Sequence, residues 1–252
     1  MAKKIVKDEL GERMKKFYEN RNRAYLPRRT YTLLRIDGKC FHTFVKGLER
    51  PFDDGLMDDM NTAAAYICKN VMGADFAFVQ SDEISILLTD FKELKSEAWF
   101  DNNVQKMTSV SASMTTRAFN EARLKRTGVS KMKWAEFDSR VFQIPPRIEV
   151  ENYFIWRQQD ATRNSISSVA QSLYKNHDDL KGVNSNAQQE MIFQKGINWN
   201  DYESKYKRGR IIVKKTFELP NGSIRTKWES TETPVFTQER EFLTKLIPIN
   251  SK

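Results

Sequence analysis

Apolar positions along this chain switch between two periods. "TYTLLRI" at 30–36 is β-rich and predicts a strand that ends at Asp37. From 56 to 72 the apolar residues Leu56, Met60, Ala63, Ala64, Ile67 and Val71 follow helical spacing, and Gly73 is placed to end the helix. "DFAFVQ" at 75–80 predicts a second strand, with Phe76 and Phe78 on one face. "ISILLTD" at 84–90 predicts a third, with Ile84, Ile86 and Leu88 on one face. Ser81-Asp82-Glu83 lies between them as a hairpin tip with two acids. Tips of this kind favour Asn-Gly or Asp-Gly, so propensity does not explain this one. A helix over 96–124 carries Met107, Val110, Met114 and Ala118 on one stripe, and a strand over 136–145 stops at Pro145-Pro146. The order β-α-β-β-α-β predicts an α+β, ferredoxin-like core, an antiparallel sheet with two helices on one face.

Outside that core the pattern is more polar. Residues 8–25 predict a polar helix. Beyond 146 come a helix at 149–174, polar helical segments to about 205, and a β-hairpin turned at Pro220-Asn221-Gly222. The expected organisation is a catalytic core at 1–145 and an accessory α/β region at 146–252, with no internal repeats and no low-complexity segments.

Composition narrows the function classes. With 252 residues, 39% hydrophobic and 30% charged, the chain can bury a sizeable core and has ordinary globular composition. No apolar run approaches the ~20 residues of a membrane helix. The charged N-terminus lacks the apolar stretch of a secretory signal, so no membrane association and a cytoplasmic setting are expected. Cys40 and Cys68 are the only cysteines and form no CxxC. Even joined by His42 and His177 they are a poor zinc set, and free thiols are expected. "NGS" at 221–223 reads as a turn rather than a glycosylation site. The net charge of +9 is clustered at 21–29, 123–133 and 205–215, which suggests a polyanion such as nucleic acid. Solvated faces on a basic protein would give the same clusters.

The ferredoxin-like order has a chemical consequence. It sets the first strand beside the hairpin, so Asp37 should meet Asp82 and Glu83 at one sheet edge. Three adjacent carboxylates repel and raise one another's pKa unless cations neutralise them. Carboxylate oxygens with few other donors suit Mg²⁺, and the layout is that of a two-metal site. Gly38, lacking a side chain, would let backbone approach an ion or phosphate and leave its carbonyl free to ligate. Taken separately, "DG" after a strand reads as a turn and "SDE" as a solvated loop; their convergence favours the metal site. His42 could reach a triphosphate, although a lone histidine is more often structural. The chain contains no GxxxxGK[ST] loop and no Ser-His-Asp pattern. Cys40 beside His42 lacks an orienting partner for nucleophilic catalysis.

"RIDGKCFHTF" (35–44) together with "QSDEISILL" (80–88) resembles the tRNA-histidine guanylyltransferase superfamily. "RPFDD", "FDSRVFQIP", "WRQQDATRNS" and "FQKGINWN" are similar to further blocks of that family in the same order, so the resemblance spans about 8–212. It implies a polymerase-palm fold and nucleotide addition at the 5′ end of tRNA. ATP or GTP would first activate a 5′-monophosphate. The 3′-hydroxyl of GTP or another nucleoside triphosphate would then attack. By the same resemblance Asp37 and Asp82 would bind two Mg²⁺ ions, with the Gly38 carbonyl as a further ligand and Glu83 as the third essential acid. Ser81, His42 and Arg50 would contact the triphosphate, with Lys39, Cys40 and Phe41 in the same nucleotide-binding segment and Lys106 a weaker candidate. The family's assembly implies a homotetramer, a dimer of dimers. Enzymes dedicated to tRNA-histidine carry "HINN" where this chain has Thr162-Arg163-Asn164-Ser165. That departure resembles the guanylyltransferase-like branch, template-dependent 3′-to-5′ polymerases that repair truncated tRNAs. Competing readings are a palm-fold nucleotidyl cyclase, whose Gly-Gly-acidic hairpin is absent, and a non-catalytic RNA-binding module, which would predict lost carboxylates.

Overall fold

The apolar strand residues organise the molecule. In a computed structural model that describes residues 8–174 and 176–250, the chain runs α1 (Glu9–Phe17), β1 (Thr32–Gly38), α2 (Phe41–Phe44), α3 (Asp54–Asn70), β2 (Ala74–Gln80), β3 (Glu83–Leu88), α4 (Val104–Thr127), β4 (Phe137–Gln143), α5 (Arg147–Leu173), α6 (Ser185–Gln194), α7 (Ser204–Lys207), β5 (Arg210–Glu218), β6 (Ile224–Thr231) and α8 (Arg240–Leu246). Six strands form one sheet in the order β4-β1-β3-β2-β5-β6, and every neighbouring pair is antiparallel. The first four reproduce the expected ferredoxin-like core. β5 and β6 extend that sheet past β2, so the segments on either side of 146 share it.

Pleating sorts the strand residues onto two faces. Leu34, Ile36, Ala77, Val79, Ile84 and Ile86 pack against α3 and α4 through Met60, Ile67, Met107 and Phe119. Leu33, Phe76, Phe78 and Leu87 point the other way, against Val150 and Phe154 of α5 and Leu243 of α8. The two helices of the core cover one face as expected. The expectation left the second face uncovered, and α5 occupies it. The reason is in β2, where Phe76 to Val79 are fully buried and apolar on both faces. Burying a phenylalanine there stabilises by roughly 1.5–3 kcal/mol over exposing it, so the sheet needs a layer on each side.

Two helix ends differ from expectation. The helix expected over 8–25 stops at Phe17 and is followed by a 3₁₀ turn at Glu19–Asn22. α1 buries no residue, so nothing beyond local propensity prolongs it through Asn20 and Asn22. The helix expected from 96 begins at Val104. Phe100, Asp101 and Asn102 have positive φ and break the backbone, and the Asn103 side chain caps the new start by accepting from the Lys106 N–H. α4 then runs to Thr127, ending at Gly128 with φ 73°. Among the described residues no helix is long and apolar enough to cross a membrane.

Candidate active site

The site forms where β1 ends beside the β2–β3 hairpin. Asp37 stands opposite Glu83 of β3 on one side and Asp138 of β4 on the other. Gln80 pairs with Glu83, so the hairpin loop is only Ser81-Asp82. Glu83 is thus the first residue of a strand and not part of the tip, which corrects the expected three-residue turn. Ser81 closes the loop at φ 47°, a left-handed conformation that costs a non-glycine residue roughly 1–2 kcal/mol. The strain sits beside the acid that the loop presents.

The three acids have different surroundings. Glu83 is only 3% exposed. Its Oε1 accepts from Arg157 Nε at 2.8 Å, and its Oε2 accepts from Arg157 Nη2 at 2.7 Å and Arg35 Nε at 2.9 Å. Ser85 Oγ donates to Oε1 at 3.1 Å and meets the Tyr153 hydroxyl at 2.8 Å. This bidentate clamp is the strong form of a carboxylate–guanidinium pair. The Arg157 guanidinium lies over the Trp156 ring at 4.4 Å and also bonds Asp160 at 2.9 Å. Glu83 is therefore neutralised by protein groups and is not a free third carboxylate. Asp82 has no such clamp. Burial, then the charge of Asp37, pushes its carboxyl up to about 6, with Glu83 adding a smaller push. Asp37 has Arg140 at 3.7 Å, a long contact between part-exposed side chains.

Gly38 has a packing reason the sequence did not reveal. A Cβ there would stand 2.2 Å from the Phe41 ring. Phe41 stacks on Phe44 with centroids 4.6 Å apart and touches Phe119 and Phe137. The glycine lets α2 fold back over the strand end. Phe41 is consequently a core residue, 6% exposed, and its side chain is not placed to line a nucleotide site. Lys39 pairs with Glu136 at 2.6 Å. Cys40, at φ 54°, starts α2 and is exposed, and His42 is exposed on the same short helix.

Arg50 and Ser81 line a cavity of about 220 Å³ next to the acids, formed by the α2–α3 loop, the hairpin loop, α5 and the α7–β5 junction. Phe52 and Tyr206 stack along it at 4.7 Å. Asn164 donates to Gln80 and Gln80 to Asp160, each at 3.4 Å, which ties the hairpin to α5. Lys106 is not brought here. It occupies the first turn of α4, 5.6 Å from the Phe100 ring. Neighbouring Asn102 bonds the Pro27 carbonyl, which also receives Gln143 at the far end of β4 from Asp37. Arg35 and Arg157 escaped the sequence reading as site residues, although both lie inside the motifs "RIDG" and "WRQQD".

Among the described residues no group of three His, Cys, Asp or Glu is arranged to hold a metal alone. Glu49 and Asp53 line the cavity itself, Asp53 being engaged in capping α3, and at the strand end next to Ser81 the donors are the carboxylates Asp37 and Asp82 and backbone carbonyls. That all-oxygen set, without nitrogen or sulfur, fits Mg²⁺, which takes one or two carboxylates and leaves the rest of its shell to water and phosphate.

A ferredoxin-like sheet with paired acids at the adjoining ends of its first strand and central hairpin, beside a cavity lined by Arg50, Lys205 and Arg210, defines a palm-type nucleotidyltransferase. Residues 11–145 match the tRNAHis guanylyltransferase (Thg1) family, and the chain belongs to that family. A bacterial tRNA(His) guanylyltransferase (Thg1)-like protein in complex with ATP is 41% identical, with TM-score 0.83 over 95% of this chain and 100% of that one. Its complex with GTP gives 0.82 at 41% identity, over 96% of this chain and 100% of that one. The tRNA(His) guanylyltransferase of Schizosaccharomyces pombe is 30% identical over 215 residues, 81% of this chain and 80% of that protein. The Saccharomyces cerevisiae enzyme's structure matches with TM-score 0.65 at 25% identity, over 77% of this chain and 90% of that one.

Proposed function

We propose that this chain adds nucleotides in the 3′-to-5′ direction to the 5′ end of tRNA, directed by pairing with the opposite strand, and so repairs truncated 5′ ends. The observation that carries the proposal is the pair Asp37 and Asp82 at one sheet edge, next to a cavity lined by Arg50 and Ser81. The likeness to a protein solved with ATP and with GTP supports both as substrates. Thr162 to Ser165, in place of a histidine-bearing segment, favours templated addition over obligate guanylylation.

On this reading Asp37, Asp82 and the Gly38 carbonyl are the groups that would hold two Mg²⁺ ions. Mg²⁺ bound by these groups would supply neutralisation of phosphate charge and a lowered pKa for the attacking hydroxyl. Arg50 and Ser81 hold the triphosphate, with His42 and Lys39 beside them. Glu83, locked by Arg35 and Arg157, acts as the rigid post that fixes the hairpin and hence Asp82. In the first step an oxygen of the tRNA 5′-phosphate attacks the α-phosphorus of ATP and pyrophosphate leaves. In the second the 3′-hydroxyl of the incoming nucleotide attacks the 5′-phosphorus, AMP leaves, and the hydroxyl proton passes to solvent. The basic clusters meet the RNA phosphates. A homotetramer and a cytoplasmic setting belong to the same reading on family likeness; light scattering checks the first.

The test is incubation with Mg²⁺, labelled ATP and 5′-monophosphorylated tRNA lacking its first nucleotide. A capped intermediate followed by a longer 5′ end is expected. A cyclic dinucleotide made without RNA, or RNA retention with no turnover, would defeat the proposal.

A further inference from the structure

Arg210 opens β5 and is paired with Val79, the penultimate residue of β2. It is 4% exposed and lines the same cavity as Arg50, Ser81 and Lys205. Its Nε donates to Asn61 Oδ1 at 2.8 Å, so α3 fixes the plane of the guanidinium. Its Nη2 is buried and has no hydrogen-bond partner among the described residues. Burial also pulls the guanidinium down to about 10, with the charge of Asp58 opposing. A buried cation without a bonded anion is costly, and its orphaned donor needs an explanation. Asp53, which also lines the cavity, does not supply one: its carboxylate caps α3, accepting from Leu56 at 2.7 Å and Glu49 at 3.2 Å. The approach is itself constrained. Gly209 has φ 72°, and a Cβ there would stand 2.4 Å from the Phe78 ring. That glycine lets β5 bring Arg210 to the cavity wall.

We propose that Arg210 is a phosphate-binding residue of this cavity, its free Nη2 donating to a phosphate oxygen of the ligand that enters past Arg50 and Ser81. With Arg50 and Lys205, whose ammonium also pairs with Asp54 at 3.2 Å, this gives three cationic side chains lining the cavity, a set suited to a polyphosphate. The phosphate comes from a nucleoside triphosphate or from the 5′ end of the RNA. The inference rests on the nucleotidyl-transfer reading above for its choice of ligand.

The test uses the full chain and calorimetric titration with tripolyphosphate, ATP, GTP, guanosine and an RNA acceptor-stem hairpin with either a 5′-phosphate or a 5′-hydroxyl. Arg210→Gln is expected to weaken tripolyphosphate, ATP and GTP by about tenfold or more, the value of a charge-assisted hydrogen bond, and to leave guanosine unchanged. If the loss appears only for the 5′-phosphorylated hairpin, the site holds and its phosphate is the RNA's. A folded Arg210→Gln protein that binds every probe as the wild type does, or loses guanosine as strongly as GTP, overturns the proposal. Should that variant fail to fold, the wild type labelled with ¹⁵N-arginine decides: the Arg210 Nε–H resonance must shift on adding tripolyphosphate, and a fixed resonance overturns the site. Tripolyphosphate bound through Arg210 by a protein that extends no RNA would sink the transfer reading while leaving this site standing. Normal RNA extension with an unmoved Arg210 would do the reverse.

Discussion

Asp82 and Glu83 are adjacent in sequence and have opposite fates. Glu83 begins a strand, is buried, and is held by two guanidiniums. Asp82 sits in a two-residue loop, faces the charge of Asp37, and has its carboxyl pushed up to about 6. One acid is paired with protein cations; the other has hydrogen bonds from Ser81 and its own backbone and a like charge facing it. The contrast teaches that the hairpin has a structural half and a reactive half, divided at one peptide bond. It also predicts that variants of the two will fail differently.

The largest expected effect is on turnover. Asp82→Asn or Asp37→Asn should lower kcat by roughly three orders of magnitude or more, since each removes half of the carboxylate pair. Thermal melting of the metal-free protein should be unchanged or slightly raised, because a part-buried charge facing another like charge has gone. Single-turnover extension of 5′-monophosphorylated tRNA measures the first and a melting curve the second. Wild-type turnover in Asp82→Asn would erase the distinction between the two acids.

Glu83→Ala should fail by unfolding. It strands Arg157, whose side chain is 3% exposed, and breaking a buried pair from one side costs about 3–5 kcal/mol. Urea unfolding is the measurement. Replacing both partners, Glu83→Ala with Arg157→Met, should recover part of the loss, and strict additivity of Glu83→Ala and Arg157→Met would show that the clamp is not a coupled unit. Smaller still is Gly38→Ala. The added methyl meets the Phe41 ring, an overpacking cost of about 1–3 kcal/mol. Stability should fall first, and activity through displacement of the strand end.

These cases separate what could be read from the sequence and what could not. The strands were legible because their two-residue alternation is local, and the β1–hairpin adjacency followed once the element order was known. Asp37 and Asp82 were therefore found. The Glu83 clamp was not, because Arg157 is 74 residues away and which cation reaches a carboxylate is decided by how α5 crosses the sheet. The same crossing hid the second covered face, although Phe76 to Val79, apolar on both sides, hinted at it. In the sequence Gly38 offers only backbone freedom; the ring that needs its missing Cβ is visible only in three dimensions. Arg210 is visible in the sequence only as one of several charges in the basic cluster at 205–215, with nothing to set it apart from its neighbours. Its isolation depends on Gly209 and Asn61, which come together only in the fold.

The smallest expected effect concerns Lys106. A helix rises ~1.5 Å per residue, and α4 runs from a start held near Pro27 to Thr116, whose hydroxyl accepts from the Phe137 N–H beside Gly38. Lys106 lies at the start of that run, its ammonium over Phe100. Lys106→Ala should therefore leave the KM for nucleoside triphosphate within about twofold. It should destabilise the fold by no more than an exposed cation–π pair is worth, ~0.5–1 kcal/mol. A KM raised tenfold would have a definite meaning. Within one chain the first turn of α4 lies at the other end of the sheet from Asp37, so the nucleotide would have to meet Lys106 of a neighbouring copy. The contrast between a clamped and an unclamped acid would then extend across a subunit boundary, and dilution below the assembly threshold should abolish the Lys106 effect while leaving that of Asp82 intact.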